Sequence, residues 1–171
     1  MSLPRPDPND PRHNTRGGGI HVPANAGLQR WFAGDAYSIK LTAADTNGTV
    51  GIVQGTVPPG GGPIPHVHTT QEETFYVLSG ELEFLEGERT FMAQTGDLVH
   101  IPRGVRHRFH NVGYHAAQLL FVYTPGGTEG MFVDGGEEPR PGVQVEAWGP
   151  ERFQTEAMKD LYVEYNVEIQ P

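Results

Sequence analysis

The segment from Gly60 to Asn111 sets His66-Val67-His68, Glu73 and His107 between clusters of turn residues, and this constrains the fold more than any other part of the chain. Side chains on a strand alternate between faces, so His66 and His68 point to one side of a sheet. Glu73 opens a second strand, 73–78, in which Glu73, Phe75 and Val77 share a face. A third strand, 105–111, carries His107 and Phe109 on one face and Arg106, Arg108 and His110 on the other. Three imidazoles and a carboxylate thus converge from three strands inside a barrel. Such a donor set suits one divalent first-row metal and leaves one or two coordination positions for water or substrate. A lone His-x-His pair is more often a surface strand. Glu73, His107 and the punctuation around them turn the reading toward a metal site.

The glycines and prolines divide the rest. Gly60-Gly61-Gly62-Pro63 is a turn cluster leading into the histidine strand. It is not a phosphate loop, since no lysine follows and a strand comes next. Ser79-Gly80, Glu86-Gly87-Glu88, Gly96-Asp97 and Arg103-Gly104 separate strands at 81–85, 89–92 and 98–102, with Pro102 at a strand end. Upstream, strands at 28–32 and 37–41 are joined at Gly34-Asp35, and Asn47-Gly48 makes a hairpin to 49–57. Residues 118–123 alternate and close the barrel. Residues 124–149 read as a long Gly- and Pro-rich loop with a short turn near Met131-Phe132. Gly149 caps a helix with Pro150 at its first position, and Phe153, Ala157, Leu161 and Tyr165 form its apolar stripe. Asn166 takes the left-handed conformation that ends it.

Gly60, His66, His68, Glu73 and Gly80, followed by Gly96, Pro102, Gly104, His107 and Asn111, resemble the paired signature of the cupin family, with every signature position filled. Within that family the chain is most similar to the single-domain quercetin dioxygenase-like group. The carriers are Gly60-Gly61-Gly62-Pro63-Ile64-Pro65-His66-Val67-His68, Glu73-Thr74-Phe75-Tyr76-Val77-Leu78-Ser79-Gly80, Thr124-Pro125-Gly126-Gly127 and Tyr165-Asn166-Val167-Glu168-Ile169. The resemblance implies an all-β fold, a double-stranded β-helix or jelly-roll barrel, with a C-terminal α-helix. The expected organisation is a flexible arm over 1–18, the barrel over 19–125, and a loop plus helix over 126–171 packed on the barrel. It also implies one divalent transition metal per chain (iron, manganese, nickel, copper, zinc or cobalt) on His66, His68, Glu73 and His107. In that group a flavonol-type substrate binds the metal while oxygen adds and carbon monoxide leaves. Its glutamate is both ligand and proton acceptor, a role carried over to Glu73 alone.

Phe75, Val77, Phe84, Phe109 and Phe121, with Leu119, are expected to wall the substrate pocket on the metal's side of the barrel. An apolar, aromatic wall suits an aromatic or polyketide-like molecule rather than a sugar nucleotide or organic phosphate. Three readings follow: a dioxygenase acting on an aromatic enol or phenol, a metal-dependent polyketide cyclase or isomerase that uses no oxygen, and a non-catalytic small-molecule-binding cupin. His13, His21, His100, His110 and His115 fall outside the ligand set, and Glu72 points away from it. The formal charge of −9 excludes a nucleic-acid surface, which needs a basic footprint. The sequence has no cysteine and no apolar run of membrane length, so a cytoplasmic protein without disulfides is expected. Barrel sheets have edges that need covering, which points to a homodimer, with the 20–22 region lying on a partner's sheet.

Overall fold

Alternation of buried and half-buried residues fixes the strands that build the interior. In β5 (Gly51–Val57) and β12 (Ala117–Thr124) every second residue is fully buried, the pattern of strands with one face on a core. The computed structural model describes residues 14–16 and 18–171; most of the expected arm, with His13, lies outside the described residues. A short hairpin, β1 (Asn14–Arg16) with β2 (Gly19–His21), comes first, so Gly19–His21 pairs within its own chain.

Two antiparallel sheets then face one another. The first contains β3 (Leu28–Phe32), β4 (Asp35–Leu41), β5, β7 (Glu72–Ser79), β10 (Leu98–Ile101) and β12, in the order β10-β7-β12-β5-β4-β3. The second contains β6 (His66–His68), β8 (Glu81–Glu86), β9 (Arg89–Gln94), β11 (His107–His110) and β13 (Val167–Ile169), in the order β13-β6-β11-β8-β9. The chain crosses repeatedly between the sheets, as in a jelly roll. Between them lies a core of Val53, Phe75, Val77, Leu82, Phe84, Phe109, Leu119 and Phe121, all at most 3% exposed. Asn47 and Gly48 both take positive φ (54° and 80°), but they lie inside a longer connection, 42–50, between the antiparallel β4 and β5 rather than forming a two-residue hairpin.

Three further features depart from the sequence reading. The expected loop over 124–149 contains α1 (Glu129–Gly135), whose Met131 and Phe132 are buried. Its glycines oppose helix formation, but they are where the helix meets its neighbours. A Cβ at Gly130 would press on the Tyr165 ring, and one at Gly135 would collide with Leu161. Second, the C-terminal helix is not continuous from Pro150. A 3-10 turn at Pro150–Gln154 ends at Thr155, which is extended and caps α2 (Glu156–Glu164) by accepting a hydrogen bond from the Met158 N–H. That break resets the helical frame: Met158, Leu161, Tyr162 and Tyr165 face inward and Ala157 is exposed. Third, β13 follows Asn166, which is left-handed as expected (φ 57°), and joins the second sheet beside β6. No helix among the described residues is long and apolar enough to cross a membrane.

Candidate metal centre

His66 and His68 are inward residues of β6, and His107 opens β11 directly opposite His66 in the register. All three imidazoles therefore come from one sheet. Glu73 comes from β7 in the facing sheet and reaches across the interior to meet them. The four side chains are 1–9% exposed, and one ligand atom from each lies within 4.8 Å of every other. Ring centroids are 4.5 Å apart for His66 and His107, 5.0 Å for His66 and His68, and 5.4 Å for His68 and His107.

Two imidazoles are pinned by the backbone just upstream of their own strands. Nδ1 of His66 donates to the Ile64 carbonyl at 3.0 Å, and Nδ1 of His107 donates to the Val105 carbonyl at 2.9 Å. A carbonyl only accepts, so both Nδ1 atoms carry the proton, which leaves Nε2 as the coordinating atom of the neutral ring. Nδ1 of His68 is buried without a hydrogen-bond partner. Oε2 of Glu73 lies 2.9 Å from His107 Nε2 and 3.1 Å from His68 Nε2. The carboxylate oxygen and these ring nitrogens thus turn toward one point, where a metal ion would take the place of any proton held between them.

The electrostatics suit a cation. Burial, followed by the neighbouring His107 and His68, pushes His66 well below its ordinary 6.5 and keeps its lone pair available. Burial works against ionisation of Glu73, but the charges and hydrogen bonds of His68 and His107 overcome it and hold the carboxyl well below the usual range. Three neutral nitrogens and one anionic oxygen in a buried cluster fit a divalent first-row ion.

The five expected pocket residues are all buried, and they pack mainly on one another. Phe75 meets Phe84, Phe121 and Phe109 edge-on at 5.2, 5.3 and 5.8 Å. It also touches the centre itself, 6.1 Å from the His107 ring. Phe84 stacks on Phe91 farther from the ligands, and Val77 is two residues beyond Phe75 on the same inward face. His100 faces outward, with Nδ1 2.8 Å from the Thr74 hydroxyl, and Glu72 on the same outer face pairs with Arg103 at 3.2 Å.

Tyr123 and Asp35 are among the interior polar residues that the sequence pattern does not single out. Tyr123, which pairs with Glu73 across the β12–β7 ladder, is inward and 2% exposed, its ring 5.8 Å from that of His68. The parity that turned Leu119 and Phe121 inward also applied to it. Asp35, read as a turn residue, is fully buried at the start of β4. Its Oδ2 accepts from the Tyr37 hydroxyl at 3.1 Å, and its Oδ1 has no hydrogen-bond partner. Burial raises the Asp35 carboxyl well above its ordinary range.

The comparisons with known proteins agree with this arrangement. The sequence model of a family described as "Cupin domain" matches residues 53–123. The polyketide synthase CurC of Streptomyces cyaneus is 34% identical over 122 residues, which cover 66% of this chain and 77% of that one. The quercetin 2,3-dioxygenase of Bacillus subtilis is 27% identical over 104 residues; these cover 60% of this chain but only 31% of that enzyme. Among solved structures, a predicted oxalate decarboxylase from Thermotoga maritima superposes with a TM-score of 0.59 at 18% identity, over 61% of this chain and 98% of that one, a likeness of fold.

Proposed function

The chain belongs to the cupin family, and on that premise we propose that it is a metal-dependent enzyme, a dioxygenase that acts on an aromatic enol or phenol of flavonol type. The observation carrying this reading is the buried carboxylate of Glu73, within hydrogen-bond reach of two of the three imidazoles it faces across the barrel. His66, His68, Glu73 and His107 would hold a divalent metal, whose positive charge would favour an anionic enolate or phenolate oxygen. Glu73 is the base: it takes the hydroxyl proton of the incoming substrate on a carboxylate oxygen. Phe75 borders the imidazoles, and the aromatic residues behind it keep water from the reacting end. Oxygen uptake with a panel of flavonols by metal-loaded protein tests the proposal. Turnover of such substrates without oxygen consumption would overturn it.

A second reading has its own support. The match to CurC is higher in identity and covers far more of the relative than the match to the quercetin dioxygenase. A polyketide-like substrate, cyclised or isomerised by the same base without oxygen, fits the same residues. Product analysis under anaerobic conditions separates the two.

We also propose a homodimer. At the edge of the first sheet Leu98 of β10 pairs with Tyr76 of β7, which pairs in turn with Leu120 of β12. Leu98 and Tyr76 are 63% and 42% exposed, and Leu78 nearby is 38% exposed. A second copy on this outward row would cover it.

A further inference from the structure

Nδ1 of His66 and of His107 is tied to a backbone carbonyl two residues upstream, just before its strand. A ligand carboxylate needs a second contact of the same kind, because it otherwise rotates about its terminal bonds and presents either oxygen. The residue placed to supply that contact is Tyr123.

Three observations converge on it. Tyr123 is the direct cross-strand partner of Glu73, and both side chains point inward with at most 3% exposure. Its ring packs edge-on against His68, at 5.8 Å, at the border between the ligand cluster and the aromatic core. Its hydroxyl lies on the same inward face as the Glu73 carboxylate, directly across the ladder, and interacts with it. Burial, followed by that negative charge, keeps it a neutral phenol. A neutral phenol facing a carboxylate has one role open to it, which is to donate. On its other side Tyr123 pairs with Gly51, where a side chain would collide with the buried Glu129 carboxylate. Phe132 stands 6.4 Å away. The ring is therefore held from several sides.

We propose that Tyr123 is a positioning residue of the metal centre, whose hydroxyl donates to Glu73 and holds the carboxylate with Oε2 facing the imidazoles. The proposal rests on the reading that the four ligands take up a metal, and it concerns the ligand set whichever substrate is turned over. Partners of this kind are worth roughly 10–100-fold in metal affinity.

The test uses cobalt(II), whose visible bands report the ligand geometry directly, on the full chain without substrate. Tyr123→Phe removes one oxygen and keeps the ring. We expect it to melt within a few degrees of the wild type, to bind cobalt roughly 10–100-fold more weakly in competition with a chelator, and to show displaced bands. Tyr123→Phe in a Glu73→Gln background should cost little more than Glu73→Gln alone, because a residue acting through Glu73 has nothing further to lose. A fluorinated tyrosine at position 123 packs almost as tyrosine does but donates more strongly, and should shift the bands the opposite way. It also keeps the test open if the phenylalanine variant does not fold. Unchanged affinity and bands in Tyr123→Phe, or full additivity in the double variant, would overturn this proposal alone. A wild-type protein that takes up no cobalt would overturn the metal reading with it.

Discussion

Val167 lies directly opposite His68, and Ile169 opposite His66, so β13 borders the histidine strand along its whole length. On its other side β6 has a single register pair, His66 with His107. A three-residue strand held so thinly on one side depends on the other. The position of two ligands is therefore tied to a segment far along the chain from either.

Val167→Asp tests that dependence without touching a ligand. Val167 is 6% exposed, and an unpaired carboxylate there should destabilise the fold by about 3 kcal/mol or more. The expected result is a lower melting temperature together with lower metal occupancy, measured by elemental analysis. Full occupancy would show that β6 is held without β13.

His68→Ala and His107→Ala should each abolish stoichiometric metal while circular dichroism reports a folded β protein. Either variant with one metal per chain would remove that residue from the ligand set.

Glu73→Gln keeps the shape and one acceptor oxygen but loses the base. Three histidines remain, so some metal is expected to stay. Activity on an enol or phenol substrate should fall by roughly two to four orders of magnitude. A metal-loaded variant as active as the wild type would leave Glu73 a ligand only and the dioxygenase reading without its base.

Asp35 gives stability a pH dependence of its own. Burial holds its carboxyl well above its ordinary 3.8, so the folded protein keeps a proton that the unfolded chain loses above about pH 4. Stability from this group is present below that pH and is lost as pH rises toward the folded value. His66 acts in the opposite sense: its folded value lies below 6.5, and its contribution is lost as pH falls below that point. Asp35→Asn cannot ionise and still accepts from Tyr37, while leaving His66 as it is. Between pH 5 and 8 the variant should gain thermal stability relative to the wild type as pH rises. Parallel melting curves against pH would place the proton elsewhere.

Leu98→Glu combined with Tyr76→Glu puts charges on the outward row. Light scattering should give a dimer for the wild type and a monomer for the variant. A wild-type monomer at micromolar concentration would dispose of the dimer altogether.

The strands with strict alternation were legible in the sequence because one buried face leaves a period of two. This is how the positions of His66, His68, Glu73 and His107 could be read. What escaped lacked such a signal. Val167-Glu168-Ile169 is too short to show a period, and its place beside β6 is set by pairing alone. The glycines of α1 spoke for a loop, but they are contact points for Tyr165, Leu161 and Phe32. Asp35 beside Gly34 had the composition of a turn, and only the tertiary fold buries it. At Thr155 a local hydrogen bond shifted the frame of a stripe that four-residue spacing had drawn through Ala157.

The division of the ligands between the sheets has a mechanical consequence. The imidazoles stand on one layer and the carboxylate on the other, so a bound cation would act as a rivet through the sandwich, resisting shear between layers that elsewhere meet through side-chain packing. Resistance to denaturant should then follow the free metal concentration, since an ion held only by the folded state stabilises it by mass action. Substitutions that let one sheet slide over the other would loosen the ion even when they lie far from any ligand.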